Sequence, residues 1–259
     1  MGAVGGRRAV VGIALVGVPV LAVVIPAPWS LFVGAVGLAV GVLARRAGSN
    51  LAAAALFASA AVALAMGVSG GVMWPIPPAA ALAIYAGVTW RAPALGVRSW
   101  FRLGDRDRPA LVVAVASIPI TTIALVAFIA SGRTDLQKAT DGLDGLPFAV
   151  IVLAGVGFAL VNPAVEEVLF RGLLQPALGS IGASAGAAIA LQAAAFGALH
   201  LHGIPGGPLG MAMAGLWGAM LGFVRHRTNG LRLVWLVHVA ANATIFTTLV
   251  VAARVKGVL

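Results

Sequence analysis

The chain has no cysteine, which excludes a disulfide framework, a thiolate metal site and a cysteine nucleophile. It is almost as poor in carboxylates: seven Asp and Glu stand against 17 Lys and Arg, and charged residues make up 9% of the total. Soluble domains average about 25% charged residues, so a chain that is 61% hydrophobic, with a mean hydropathy of +1.06, does not read as a soluble protein. Its charge-free tracts also exceed the ~20 apolar residues that span a bilayer as a helix. The expected class is all-α: a polytopic membrane bundle of about eight or nine transmembrane helices with a polar intramembrane cavity. The net charge of +10 and pI near 11.8 raise nucleic acid as a partner. The arginines, however, fall in short loops between apolar tracts, as the positive-inside rule predicts, so the basicity is topological and no nucleic acid is expected. Arginine supplies 15 of the 17 cations, and Ala and Gly are abundant. This composition points to a GC-rich bacterial genome and a multi-pass protein of the bacterial cytoplasmic membrane.

A signal peptide at Arg7-Arg8 would need a polar mature domain after it, and none follows; a first transmembrane helix is expected instead. Proline clusters divide the long uncharged tracts. Pro26 and Pro28 split residues 9–44 into two helices, and Trp74-Pro75-Ile76-Pro77-Pro78 splits residues 47–90 into a third and a shorter fourth, which can also be re-entrant. The longest polar loop, Arg91 to Arg108, divides an Ala/Gly-rich region, 1–108, of no evident role from a functional region, 109–259. Further helices are expected at Pro109–Ser131, Phe148–Val161, Ser180–Leu201, Pro208–Val224 and Leu233–Ala253. Asn162-Pro163 should end or kink the incoming helix, placing Glu166 and Glu167 in the first turn of a new one, where the helix dipole favours carboxylates. Gly182/Gly186 and Gly218/Gly222 have the four-residue spacing that lets helices pack closely in lipid. Trp74, Trp90, Trp100 and Trp235, near tract ends, read as interface anchors. With the amino terminus cytoplasmic, 13 of the 17 cations, Arg171 included, fall on the cytoplasmic side.

Glu166, Glu167 and Arg171 interrupt an apolar run, and ionised groups at bilayer depth are costly enough to be functional as a rule. His200, His238 and Asn242 are the other groups picked out in the last helices. Glu167 and Arg171, Phe196 and His200, and His238 and Asn242 are each four apart, so each pair shares a helix face. Brought together, a glutamate and a histidine can activate water, while His238 and Asn242 can donate to a developing oxyanion. Glu166, His200 and His238 can alternatively hold Zn²⁺ or another divalent metal, and spacing alone does not choose. The histidines admit a packing role, and Glu167 with Arg171 a purely structural ion pair. His202 reads as interfacial and His226 as solvated. A proton-coupled transporter and a non-catalytic scaffold or immunity protein are the competing functional classes; a proton relay would favour carboxylates on several helices.

The ordered motifs Glu166-Glu167-x-x-x-Arg171, Phe196-x-x-x-His200 and His238-x-x-x-Asn242, with Pro163 before and Gly172 after the first, resemble the CPBP family of intramembrane proteases. That family includes type II CAAX prenyl proteases and proteins similar to the lysostaphin-resistance and bacteriocin-processing proteins. The resemblance covers about the last 150 residues. It implies an intramembrane endopeptidase with Glu166 as the water-activating base together with His200, and Glu167 and Arg171 as support. His238 and Asn242 would be oxyanion or metal-side groups, and Phe196 would line the site. The implied partners are the lipid bilayer and a membrane-associated protein or peptide substrate, with the mechanism either metal-assisted or metal-independent.

Overall fold

The computed structural model describes residues 2–70, 74–92, 95 and 97–259. The described chain is helical, with no strand among the described residues. The elements are α1 (Gly2–Val24), α2 (Ala27–Arg46), α3 (Asn50–Val68), α4 (Ile76–Thr89), α5 (Arg108–Ala130), a single turn α6 (Leu136–Ala139), α7 (Phe148–Glu167), α8 (Gln175–Ser180), α9 (Ala185–Leu199), α10 (Gly207–Thr228) and α11 (Arg232–Val255). A 3₁₀ turn, Val97–Phe101, precedes α5, and a π-helical stretch, Val168–Leu174, joins α7 to α8. Helices suit apolar sequence in lipid because they satisfy every backbone N–H and C=O internally. Among the described residues seven helical segments are long and apolar enough to cross a membrane, and Ile76–Thr89 and Ala185–Leu199 are shorter apolar helices. Large apolar side chains point outward on several of them, among them Ile13, Val112, Ile123, Leu153 and Leu216. Such a surface belongs in lipid.

Local chemistry sets the helix ends. Asp107 caps α5 by accepting from the Ala110 N–H at 2.9 Å, and Ser184 caps α9 by accepting from Ala187; each supplies a partner to an N–H that the helix leaves unpaired. Asn229, at φ 54°, ends α10 in the left-handed conformation that asparagine tolerates. One departure from the expected helix pattern bears on the site. Pro163 does not start a new helix: it sits inside α7, and the helical run continues from Phe148 to Ser180 over 33 residues. In a membrane segment a proline costs one backbone hydrogen bond, which neighbouring helices tolerate, and no polar residue draws the chain out of the bundle at that point. Glu166 and Glu167 therefore close α7 instead of opening a helix. The dipole argument fails with it, and side chains must stabilise the carboxylates.

Helices α1, α2 and α3 pack together; α1 lies against α8, α9 and the π stretch, and α3 against α8 and the π stretch. One buried apolar cluster runs from Val11 on α1 to Val237 on α11, so residues 1–108 share a core with the rest of the chain. Glycines allow the closest approaches. A Cβ at Gly197 on α9 would lie 2.7 Å from the Met211 carbonyl oxygen of α10, and one at Gly218 would lie 3.1 Å from both Arg171 and Phe196. Of the two expected glycine pairs, Gly218/Gly222 makes such contacts. Gly182/Gly186 does not: Gly182 turns the chain at φ +102°, and nothing lies within 4 Å of a Cβ at Gly186.

At one end of the bundle the loop before α5 is fastened to the α10–α11 turn. Asp105 N donates to Thr228 O at 2.6 Å, Arg232 N donates to Arg102 O, and Arg227 donates twice to Asp107 Oδ2, at 3.0 and 2.7 Å. The Arg227 hydrogen bonds, followed by the Ala110 N–H, hold the Asp107 carboxyl below its ordinary pKa. A carboxyl whose pKa is depressed in the folded state contributes stability above its unfolded-state pKa and loses it as pH falls through the folded-state value. Thermal melts of the wild type and Asp107→Asn in detergent should therefore differ at neutral pH, with the wild type melting higher. That gap should close as pH drops below the ordinary carboxylate range. A second expectation concerns α9 and α10: Gly197→Ala forces their backbones apart and should cost about 1–3 kcal/mol, read as a lowered melting midpoint.

Candidate active site

The end of α7 carries the site's carboxylates, and the π stretch that follows buries every residue from Leu169 to Leu174. Such widened turns recur at functional sites. Arg171, fully buried, donates through Nη1 to Glu167 Oε1 at 3.0 Å and through Nη2 to the Gly218 carbonyl on α10 at 3.2 Å. Its guanidinium carbon stands 4.4 Å from the ring centroid of Phe196 on α9, a cation–π contact in a desolvated setting. Glu167 is also fully buried. Its Oε1 accepts a second hydrogen bond, at 2.7 Å, from Nδ1 of His238 on α11. A buried charge is tolerable when it is paired and hydrogen-bonded, and here Glu167 is matched by Arg171 and in turn orients the His238 ring.

Glu166 occupies a different environment. Asn162, one turn earlier on α7, donates through Nδ2 to Glu166 Oε1 at 3.1 Å. Trp74, from the α3–α4 connection, donates through Nε1 to Asn162 Oδ1 at 2.6 Å. These bonds fix which way the Asn162 amide points and occupy one Glu166 oxygen. The other, Oε2, has no hydrogen bond and lies 3.4 Å from His238 Nε2. The two ring nitrogens of His238 thus face the two glutamates.

A cavity of about 1530 Å³ opens onto this group, lined by Trp74, Asn162, Glu166, His200, His238 and Asn242 among others. Glu167 and Arg171 lie behind its wall. His200 follows the last residue of α9. Its Nδ1 lies 3.0 Å from the Phe196 carbonyl oxygen, which can only accept, so Nδ1 carries a proton. The Phe196 ring packs 4.7 Å from the His200 ring and is almost fully buried. Asn242, one turn beyond His238 and buried, has an unpartnered Nδ2.

The structure therefore brings Glu166, His200, His238 and Asn242 to one cavity, with Glu167, Arg171 and Phe196 as its support. The direct partner of Glu166 is His238; His200 shares the cavity without touching Glu166. For the metal alternative, no group of three His, Asp or Glu side chains among the described residues is arranged to hold a metal ion. Both nitrogens of His238 face carboxylates, one of them hydrogen-bonded to Glu167. With Nδ1 of His238 held by Glu167, the atoms left for a metal are His238 Nε2, Glu166 Oε2 and His200 Nε2, and the steps below use the protein's own groups alone.

Several residues of the site were not singled out from sequence. Trp74 is a hydrogen-bond donor to the site and not an interface anchor; Trp100 is buried too, stacked on Tyr85 at 6.2 Å. Asn162 stood out only as the neighbour of a proline, although its four-residue spacing from Glu166 was a usable signal. Gln192 and Gln175 are buried polar residues in apolar helices. They donate to the Gly218 and Gly222 carbonyls at 2.8 and 3.0 Å and tie α9 and α8 to α10 behind Arg171.

Residues 148–244 match the family model described as type II CAAX prenyl endopeptidase Rce1-like. The matched segment, 97 of the 259 residues, resembles the core of that protease family and holds the glutamate pair, His200, His238 and Asn242. The apolar helices make the chain a multi-pass membrane protein. No curated protein and no solved structure matches the chain. Removing Arg171 leaves Glu167 as a buried unpaired charge, and Arg171→Ala should cost about 3–5 kcal/mol. Arg171→Met combined with Glu167→Leu removes both charges and should melt above Arg171→Ala. Thermal midpoints of the two variants check this ordering.

Proposed function

We propose that the chain is an intramembrane endopeptidase in which Glu166 is the general base. The observation that carries this reading is the contrast between two adjacent carboxylates. Glu167 is sealed behind the cavity by Arg171 and His238, whereas Glu166 lines the cavity with one oxygen held by Asn162 and the other without a hydrogen bond, 3.4 Å from His238 Nε2.

A water between Glu166 Oε2 and His200 Nε2 gives up a proton to Glu166 as its oxygen attacks a peptide carbonyl carbon. The carbonyl oxygen gains negative charge, which the Asn242 amide, and His238 when its ring carries both protons, can stabilise by donating hydrogen bonds. The proton on Glu166 then passes to the peptide nitrogen as the C–N bond breaks, leaving a new carboxylic acid and a free amine. His238 is suited to this work because Glu167 accepts from its Nδ1 and fixes the ring. Fixed donors around a developing charge stabilise a transition state more than mobile ones do. The substrate is the membrane-associated segment of a protein or peptide, which reaches the cavity between apolar walls such as Leu125, Phe128, Ile245 and Phe246.

The test uses purified protein in lipid vesicles with a library of apolar peptides, a farnesylated CAAX peptide included, and products identified by mass. Cleavage should fall by about 10²–10⁴-fold in Glu166→Gln, with the melting midpoint close to that of the wild type. Unchanged cleavage in that variant overturns the assignment. Activity should survive exhaustive chelation, and activity restored only by an added divalent ion contradicts the mechanism.

A further inference from the structure

The cavity extends to one end of the bundle only, and Glu167, Arg171 and the π stretch do not line it. At its far end it is lined by Arg133, Asp135, Lys138 and Asp141 of the α5–α7 connection and by residues 201–209 between α9 and α10. No residue of the 97–108 or 225–232 segments lines it. Those two segments are fastened to each other at the opposite end.

Contacts group the remaining connections without reference to helix length. A Cβ at Gly12, in the first half of α1, would lie 3.5 Å from Ile181 in the α8–α9 turn. Val24, at the other end of α1, and Trp74 both line the cavity. Hence the start of α1, the α2–α3 turn, the loop before α5, the α8–α9 turn and the α10–α11 turn form one face. The α5–α7 loop, the α9–α10 loop and the end of α11 form the other. The first face carries Arg7, Arg8, Arg45, Arg46, the five arginines from Arg91 to Arg108, and Arg225, Arg227 and Arg232, set against Asp105 and Asp107. The second carries Arg133, Lys138, Arg254 and Lys256 against Asp135, Asp141 and Asp144. Short loops rich in Lys and Arg stay cytoplasmic, and the asymmetry here is twelve cations against four.

We propose that the active-site cavity is entered from the non-cytoplasmic face, so that the substrate is a polypeptide segment exposed on that side of the membrane, such as the membrane-proximal part of an exported protein. This rests on the peptidase reading for the word substrate, while the direction of entry stands on charge and geometry alone. The mouth suits a polypeptide that leaves lipid there. Charges of both signs, Arg133 and Lys138 beside Asp135 and Asp141, meet the polar backbone at the rim, and the apolar walls beneath take up side chains. The α6 turn is set in the mouth with Leu136 buried in the apolar cluster of Leu125, Phe128, Ile245 and Leu249, so the rim has a fixed position relative to the base.

Because the chain has no cysteine, any introduced cysteine is its only thiol. Four single variants decide the question: Gln137→Cys at the mouth, Met213→Cys on the cavity wall, and Arg98→Cys and Asn229→Cys on the opposite face. Each is expressed in a bacterial host and treated in spheroplasts with a charged, membrane-impermeant maleimide added outside. Gln137→Cys and Met213→Cys should gain the mass of one adduct, whereas Arg98→Cys and Asn229→Cys should gain it only after detergent permeabilisation. Labelling of Arg98→Cys and Asn229→Cys from outside, with Gln137→Cys protected, would reverse the orientation and overturn the proposal. Labelling of Gln137→Cys with Met213→Cys protected would overturn it too, by showing that the cavity does not open at that face. The same pattern is expected in the Glu166→Gln background, so failure of peptide hydrolysis and failure of the entry route are read separately.

Discussion

A carboxylate buried at bilayer depth has to be neutralised, and the way Glu167 is neutralised shapes the rest of the site. One guanidinium supplies the countercharge, and Arg171 can do so only because Gly218 leaves room for it on α10 and Phe196 supplies a ring face on α9. Four elements meet at this ion pair: the end of α7, the π stretch, α9 and α10. A fifth, α11, is tied in because Glu167 also accepts from His238. A single buried charge thus fixes the relative positions of the helices that carry the glutamates, both histidines and Asn242. Buried ion pairs contribute little to stability against an apolar alternative; here the pair acts by setting geometry.

That geometry divides two neighbouring glutamates. Successive residues on a helix point about 100° apart, so when Glu167 faces the packed interior, Glu166 turns toward the cavity. There it meets a weaker set of partners: an amide from Asn162 and a histidine edge at 3.4 Å. In the proposed mechanism the strongly held carboxylate positions, and the loosely held one is the base. His238 joins the two, since each ring nitrogen faces one of them. The resemblance of residues 148–244 to a protease family supports the proposed reaction class, and the proposed division of labour between the glutamates rests on burial and hydrogen bonding in this chain.

Much of this was legible in the sequence because membrane depth makes polar residues conspicuous. Glu166, Glu167, Arg171, His200, His238 and Asn242 stand out against apolar surroundings, and the four-residue spacings correctly pair Glu167 with Arg171 and Phe196 with His200. The contact between Trp74 and Asn162 spans 88 positions in the chain, and no local pattern encodes a contact of that range. The reading of Pro163 went astray for a related reason. Proline ends helices in water, where the chain can turn outward into solvent, whereas in an apolar run no such outlet exists and the helix continues to Glu167 and beyond. The role of His238 as partner to both glutamates was also hidden, because spacing gives the face of one helix and not which face meets it.

The central claim is that Glu167 holds the structure and Glu166 performs the chemistry, and it is tested most directly by comparing Glu166→Gln with Glu167→Gln in parallel melting and peptide-cleavage assays. The account predicts that Glu167→Gln, which leaves Arg171 buried without a countercharge, lowers the melting midpoint far more than Glu166→Gln. It also predicts that Glu166→Gln loses about 10²–10⁴-fold in cleavage while staying folded. A Glu167→Gln protein that melts like the wild type, or a Glu166→Gln protein that cleaves like the wild type, would contradict it.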